Sequence, residues 1–264
     1  MLLTLSANSL RSLDSADGSG RLSLLDMPAY AISQLELRGL NIPASMLAGW
    51  NLQDLDKLRD SADKAGCPCL VLVEDTPLKF GSKRAKIRSD AADRVEKLAV
   101  AANRLGCNAL AMGIEAKDDD DSFELVADEI RRVMPRVERL ELNVLLVPGE
   151  GLTADPARLT ELIKRIGGFR IGSLPTFGHA ATTGDPVEAL RKLAPYAGAV
   201  HATITGFEKG KHVGFDLDQC IQAIRSVGFV NTVAIEYIGD GDPVATIDQA
   251  RQVLQAAIDD DGSG

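Results

Sequence analysis

The sequence predicts a single α/β domain in which eight strand–helix units close into a barrel. Two observations carry that prediction. Short apolar runs of four to eight residues, each bounded by turn residues, recur about every 30 residues, as expected of parallel strands buried on both faces. Amphipathic stretches with helical spacing separate them. Eight such units fill roughly 250 residues, the usual size of a closed eight-stranded α/β barrel, and the chain has 264.

Taken in order, the apolar runs begin at Leu2, Leu37, Cys69, Ala109, Leu142, Phe169, Ala199 and Thr232. Leu52, Leu55, Leu58 and Ala62 form the clearest helical stripe, with Asn51 as its N-cap and Gly66 as its stop. Ala92, Val95, Leu98, Ala99 and Ala102 run into Gly106 in the same way. Leu159, Leu162, Ile163 and Ile166 follow Asp155-Pro156 and end at Gly167. Asp185-Pro186 and Asp242-Pro243 repeat that start, an Asp cap followed by proline at the first helical position. Gly198 and Gly228 are expected to close the helices before strands seven and eight. The barrel is assigned to residues 1–258 and a flexible tail to 259–264. An open doubly wound sheet also alternates strands and helices, but the first junction, Ser6-Ala7-Asn8-Ser9, lacks a Gly-rich phosphate turn. No composition break marks a second domain.

Composition narrows the function classes. With 45% apolar and 25% charged residues the chain reads as an ordinary soluble globular protein. A net charge of −9 argues against nonspecific binding to nucleic acid or to an anionic membrane surface. No run approaches a membrane span, and the first residues lack the basic stretch of a secretory signal. Cys67, Cys69, Cys107 and Cys220 lack the spacing of a redox or zinc pair, so they read as buried free thiols of a reducing, cytoplasmic compartment.

In a barrel of this kind the chemistry sits at the C-terminal ends of the strands. Polar residues expected there are Asn8, Asn41, Glu74, Asp75, Glu115, Glu150, Thr176, His179, His201, Thr203, Lys209, Lys211, His212, Glu236 and Tyr237. Glu236 stands out, because Val233-Ala234-Ile235-Glu236-Tyr237 places a carboxylate inside an apolar strand with no Arg or Lys predicted beside it. Burial there is expected to raise its pKa, which suits a base working near neutral pH. His201 repeats the arrangement one unit earlier. His212 reads as a solvated loop residue, the basic stretch Lys79–Arg88 as a solvated loop, and Asp118–Asp121 as a solvated acidic run that fits no calcium loop. Lys209 and Lys211 could attract phosphate, while Asp240 and Asp242 in the last loop would repel it.

Several of these segments resemble the sugar phosphate isomerase/epimerase superfamily, the xylose isomerase-like TIM barrels. Ile235-Glu236-Tyr237 with Gly239–Pro243 is similar to that family's last strand and loop. Gly151–Pro156 resembles its fifth junction and Ile171–Gly178 its sixth strand end, while Leu24–Pro28 and Gly39–Pro43 fit the first two units. The resemblance implies an isomerase or epimerase that moves a proton next to the carbonyl of a small carbohydrate, held with one divalent metal (Mn, Co, Mg or Zn). It also implies a homodimer. Matched position by position, His201 corresponds to the family's metal-binding His, Glu236 to its last metal-binding and catalytic Glu, and His179 to a substrate-contacting His.

Two positions depart from the pattern. Val147 stands where a strand-five Glu is expected and Thr176 where a strand-six Asp is expected, so half of the implied metal shell is missing. A substitute ligand set would be Glu150, His179, His201 and Glu236. The first reading is therefore an enzyme with Glu236 as base, His201 or His179 as its partner, an altered metal site, and substrate contacts from His179, Thr176, Glu150, Lys209 and Lys211. The alternative is a barrel that has lost catalysis and binds a carbohydrate or a protein partner. An endonuclease-like relative would need more His and Asp ligands and a basic surface, which three histidines and the negative charge do not supply.

Overall fold

A computed structural model of the chain describes residues 1–13 and 22–260. Eight parallel strands form one sheet: β1 (Leu2–Ser6), β2 (Leu40–Pro43), β3 (Cys69–Leu78), β4 (Ala109–Ile114), β5 (Asn143–Val147), β6 (Ile171–Ser173), β7 (Ala199–Ile204) and β8 (Thr232–Tyr237). Neighbours in sequence pair from β1 to β6, and β8 lies between β7 and β1. The last seam, β6 to β7, is closed by bridges between Ser173 and Ala197 and between Thr176 and His201. There the Gly198 N–H donates to the Ser173 carbonyl at 3.1 Å and the His201 N–H to the Pro175 carbonyl at 2.9 Å. The result is the closed single-domain barrel that the alternation predicts.

Period-two alternation divides the buried residues into two layers. Leu3, Leu5, Ile42, Leu72, Leu110, Leu146, Val200, Val233 and Ile235 face outward and join the helices in one continuous core. Val71, Ala109, Ala111, Leu145, Leu174 and Ala199 face inward and fill the lower lumen, with Val73 and Val147 packed above them. Gly198 belongs to this inner packing rather than to a helix stop: a Cβ there would fall 2.7 Å from Leu145. Gly228 does close its helix as expected: it lies in the left-handed region at φ 82, its N–H donates to the Arg225 carbonyl at 2.9 Å, and the Phe229 N–H donates to the Ile224 carbonyl at 3.2 Å.

The outer layer is α1 (Met27–Leu35), α2 (Leu52–Ala65), α3 (Ala85–Leu105), α4 (Asp120–Glu138), α5 (Pro156–Ile166), α6 (Phe177–Thr182), α7 (Pro186–Leu193), α8 (Leu217–Arg225) and α9 (Pro243–Asp259). The predicted caps are in place: Asn51 forms a capping box with Asp54 at the start of α2, and Asp155, Asp185 and Asp242 each accept a backbone N–H at the start of α5, α7 and α9. Helix α9 extends to Asp259 with Asp260 as its C-cap, and the remaining residues of the expected tail, 261–264, lie outside the described residues.

Five of the expected strand starts coincide with the structure and three shift inward, to Leu40, Asn143 and Ile171. Phe169 is fully exposed in the turn before β6, so its apolar side chain does not belong to the strand. Leu37 is buried in the outer core, where its N–H bonds the Ala31 carbonyl and ends α1. The charged runs are less free than their composition suggests. Asp119 caps α4, and Asp118 and Asp120 pair with Arg158 at 3.5 and 2.6 Å. In the basic stretch, Lys79 meets Glu115, Lys86 meets Asp90, and Arg88 is held half-buried by Glu129 at 2.9 Å. All four cysteines are buried and free. Burial pushes the thiols of Cys67, Cys69 and Cys220 up, to about 11, about 12 and about 12. Among the described residues, no helix is long and apolar enough to cross a membrane.

Candidate active site

The inward faces of β7 and β8 build the site. In the register between them Ala234 lies beside His201 and Glu236 beside Thr203. His201 and Glu236 therefore point into the lumen as diagonal neighbours, with the small Ala234 leaving room between the strands. The His201 Nδ1 is 3.2 Å from the Glu236 Oε1. On the far side of the ring, Nε2 is 3.0 Å from the side-chain amide nitrogen of Asn41, which projects inward from β2. The imidazole is shut away, with 3% of its side chain exposed, whereas Glu236 keeps 24%. A molecule in the barrel mouth meets the carboxylate first and the imidazole only through it.

Glu236 is fixed by the backbone on both sides. Ser9, in the short 3-10 helix Ala7–Leu13 after β1, donates its hydroxyl to the Ile235 carbonyl at 3.2 Å and accepts the Tyr237 N–H at 2.9 Å. The next loop folds back onto Tyr237, whose hydroxyl oxygen accepts the Gly241 N–H at 2.6 Å. Gly239 is required there, because a Cβ would fall 2.2 Å from the Thr205 carbonyl oxygen.

The charge state of Glu236 differs from the sequence expectation. Burial alone pushes its carboxyl up, but the imidazole of His201, through its charge when protonated and through its hydrogen bond, more than offsets that and holds the group below the usual carboxylate range. The expected raised value is thus corrected, because the partner that the sequence did not reveal is an imidazole from the neighbouring strand.

The other expected site residues are spread around the mouth. The Thr176 hydroxyl accepts the His179 N–H at 3.1 Å as the cap of α6. The ring of His179 turns to the loop after β5, with Nε2 3.0 Å from the Ala154 carbonyl. There it lines a cleft of about 470 Å³ with Asp155, Asp185, Glu188 and Lys192. Glu150 is exposed and precedes the short 3-10 helix Gly151–Thr153. Lys209 and Lys211 are exposed on an antiparallel hairpin, Phe207–Glu208 with Lys211–His212, in the loop after β7. His212 is not a solvated loop residue. It accepts the Thr205 N–H on Nε2 at 3.2 Å, lies 3.1 Å from the Phe215 carbonyl through Nδ1, and has its pKa pushed down by burial. A wider hollow of about 1020 Å³ opens on the opposite face, lined by Asn103, Asn108, Asn143 and Asn231. Asn103, Asn143 and Asn231 each donate to a backbone carbonyl there.

The residues present do not fit a divalent metal. Zinc takes four ligands and the hard cations six or more oxygens. Val147 packs on the apolar lumen cluster, the Thr176 hydroxyl is engaged in its cap, and both nitrogens of His201 are occupied by Glu236 and Asn41. Among the described residues no three His, Cys, Asp or Glu side chains come together as a metal cluster. The substitute set of Glu150, His179, His201 and Glu236 is therefore not assembled: only its last two members touch.

Asn41 is the site residue whose part the sequence conceals. It is a strand-end polar residue like several others, and only the closure of the barrel brings it to a histidine 160 positions away.

Sequence comparison places the same fold in a family. Residues 30–257 match the xylose isomerase-like TIM barrel model; the chain belongs to that family. Comparison with curated proteins finds no match. Similar solved structures include an L-ribulose 3-epimerase, at TM-score 0.81 and 15% identity, covering 98% of this chain and 96% of that one. A 3-keto-D-glucoside 4-epimerase from E. coli superposes at TM-score 0.75 and 15% identity, covering 97% and 99%. The IOLI protein, solved with a bound zinc atom, superposes at TM-score 0.73 and 14% identity, covering 98% and 96%.

Proposed function

We propose that the chain is a sugar-modifying enzyme, an isomerase or epimerase that transfers a proton at the carbon next to a carbonyl of a small carbohydrate or sugar phosphate. The observation that carries this reading is the buried contact between His201 and Glu236 at the C-terminal mouth, the end at which barrels of this kind place their chemistry. Family membership and the sugar epimerases among similar structures support the substrate class.

In this reading Glu236 is the base. The hydrogen bond from the imidazole behind it favours its ionised form, and it retains enough exposure to meet a ligand. The carboxylate takes the proton from the hydroxyl-bearing carbon, and the C–H electron pair moves into an enediolate. The resulting carboxylic acid gives its proton to the adjacent carbon while the hydroxyl proton passes to the former carbonyl oxygen, or gives it to the opposite face of the same carbon after the enediolate has turned over. His201 keeps Glu236 oriented throughout through its Nδ1 contact. Substrate contacts come from Thr176 and His179 after β6, Glu150 after β5, and Lys209 and Lys211 on the exposed hairpin, whose ammonium groups suit an anionic substituent. No step passes through a metal.

A second reading, a barrel that binds a carbohydrate or a protein partner without converting it, is favoured by Val147 and the engaged hydroxyl of Thr176, which stand where the family pattern has carboxylates. Incubating the protein with a panel of aldoses and ketoses in deuterated water separates the two. Catalysis requires deuterium to enter a sugar carbon and to stop entering in Glu236→Gln, while the same sugar still raises the Tm of that variant. A sugar that raises the Tm of the wild type but gains no deuterium supports the binding reading.

A further inference from the structure

Asn41 is completely buried, and its amide nitrogen faces the Nε2 of His201 at 3.0 Å. The Glu236 carboxylate can only accept, which requires the proton on Nδ1, and with the Asn41 amide oriented by its nitrogen toward Nε2, that nitrogen is the accepting one. The single ring proton then lies on Nδ1, where it donates to Glu236 at 3.2 Å. The arrangement is a directed chain of polar groups, from a buried amide to a buried imidazole to a partly exposed carboxylate.

The chain also leaves a group unmatched. Among the described residues, the buried Asn41 Oδ1 meets no hydrogen-bond partner, nor does the Thr4 hydroxyl. The register places Thr4, Ala234 and His201 in one row across β1, β8 and β7. An unmatched buried acceptor is costly to folding, and a leucine of similar size at position 41 would remove it.

We infer that Asn41 is a positioning residue that fixes His201 as its neutral Nδ1–H tautomer, and that this buried relay, rather than a divalent ion, holds Glu236 in place at the mouth. The inference rests on the proton-transfer reading for its purpose but not for its geometry. The donor set supports its second half: a metal on His201 would need a ring lone pair, and the one that remains points at Asn41 across the lumen.

The test is histidine nitrogen NMR on ¹⁵N-labelled full-length protein, with the three histidines assigned through His179→Gln and His212→Gln. The expected spectrum at neutral pH shows a protonated Nδ1 and an unprotonated Nε2 on His201. Manganese chloride, added stoichiometrically, is expected to leave those signals sharp. In Asn41→Asp a carboxylate, which can only accept, replaces the donor, and the Nε2 signal is expected to move to the protonated range. In Asn41→Leu the preference for Nδ1–H is expected to weaken. A wild-type His201 protonated on Nε2 would overturn the inference, as would loss of its signals to manganese, or a tautomer that neither substitution alters. The wild-type spectrum decides the point even if the variants do not fold. Because no substrate is involved, failure of the relay and failure of the proton-transfer reading are separate results: the expected spectrum with no deuterium entering any sugar would remove the reading and leave the relay.

Discussion

The Glu236 carboxylate and the His201 imidazole meet at 3.2 Å across adjacent strands, one register step apart on the lumen face. Barrel closure produces this contact. β8 pairs with both β7 and β1, which brings Ser9 against the backbone on either side of Glu236 and leaves its side chain one direction to point.

That clamp has a measurable cost of removal. Ser9→Ala deletes one donor and one acceptor and leaves the Ile235 carbonyl and the Tyr237 N–H unmatched in a buried site. A loss of about 1–3 kcal/mol is expected, read by urea denaturation, together with a fall in catalytic rate through misplacement of Glu236. An unchanged midpoint and rate would show that the clamp contributes nothing to the site.

The depressed pKa of Glu236 has a defined pH signature. Its folded value lies below the unfolded value of about 4.3, so between the two the unfolded chain binds more protons. The stability that the carboxylate contributes is therefore fully present above about pH 4.3 and is lost as pH falls through the lower folded value. The difference in unfolding free energy between wild type and Glu236→Gln is expected to hold steady from this cause down to about pH 5 and to narrow below pH 4.3. A difference that narrows between neutral pH and pH 5 would indicate a raised carboxyl instead.

If two missing carboxylates account for the poor metal fit, restoring them should create affinity. Val147→Glu with Thr176→Asp returns the family's residue types, and aspartate is also a good cap for α6. At a hundredfold excess of manganese over its Kd, the double variant is expected to gain roughly 5–10 °C in Tm, with no gain in the wild type. Equal responses from both proteins would mean that the wild-type site already holds metal.

The barrel was legible because its signals are local: apolar runs set the strands, and Asp-Pro and Asn caps set helix starts at Asp155, Asp185, Asp242 and Asn51. Strand edges were less so, since Phe169 and Leu37 are apolar for reasons of surface and outer packing, not strand pairing. His201 and Glu236 could be singled out as strand-end groups in adjacent units, and they do meet. The sign of the Glu236 shift could not, because it depends on a partner supplied by tertiary pairing. Asn41 was placed among the strand-end polar residues, but its part was hidden for the same reason: it comes from the ring that residue 41 faces across the lumen. The acidic run 118–121 is exposed as expected, and in the basic stretch Arg88 departs from that reading because Glu129 comes from another helix. His212 was misjudged as solvated because its own loop folds Thr205 and Phe215 against it.

The most direct measurement is a double-mutant cycle on solvent-deuterium exchange into a responsive sugar, with wild type, Glu236→Gln, His201→Gln and the double variant. Removing a positioned base is expected to slow exchange by about 10²–10⁴. If the two residues work as one unit, the double variant is no slower than Glu236→Gln alone. Losses that multiply, or exchange that persists at the wild-type rate in Glu236→Gln, would contradict a paired role for His201 and Glu236.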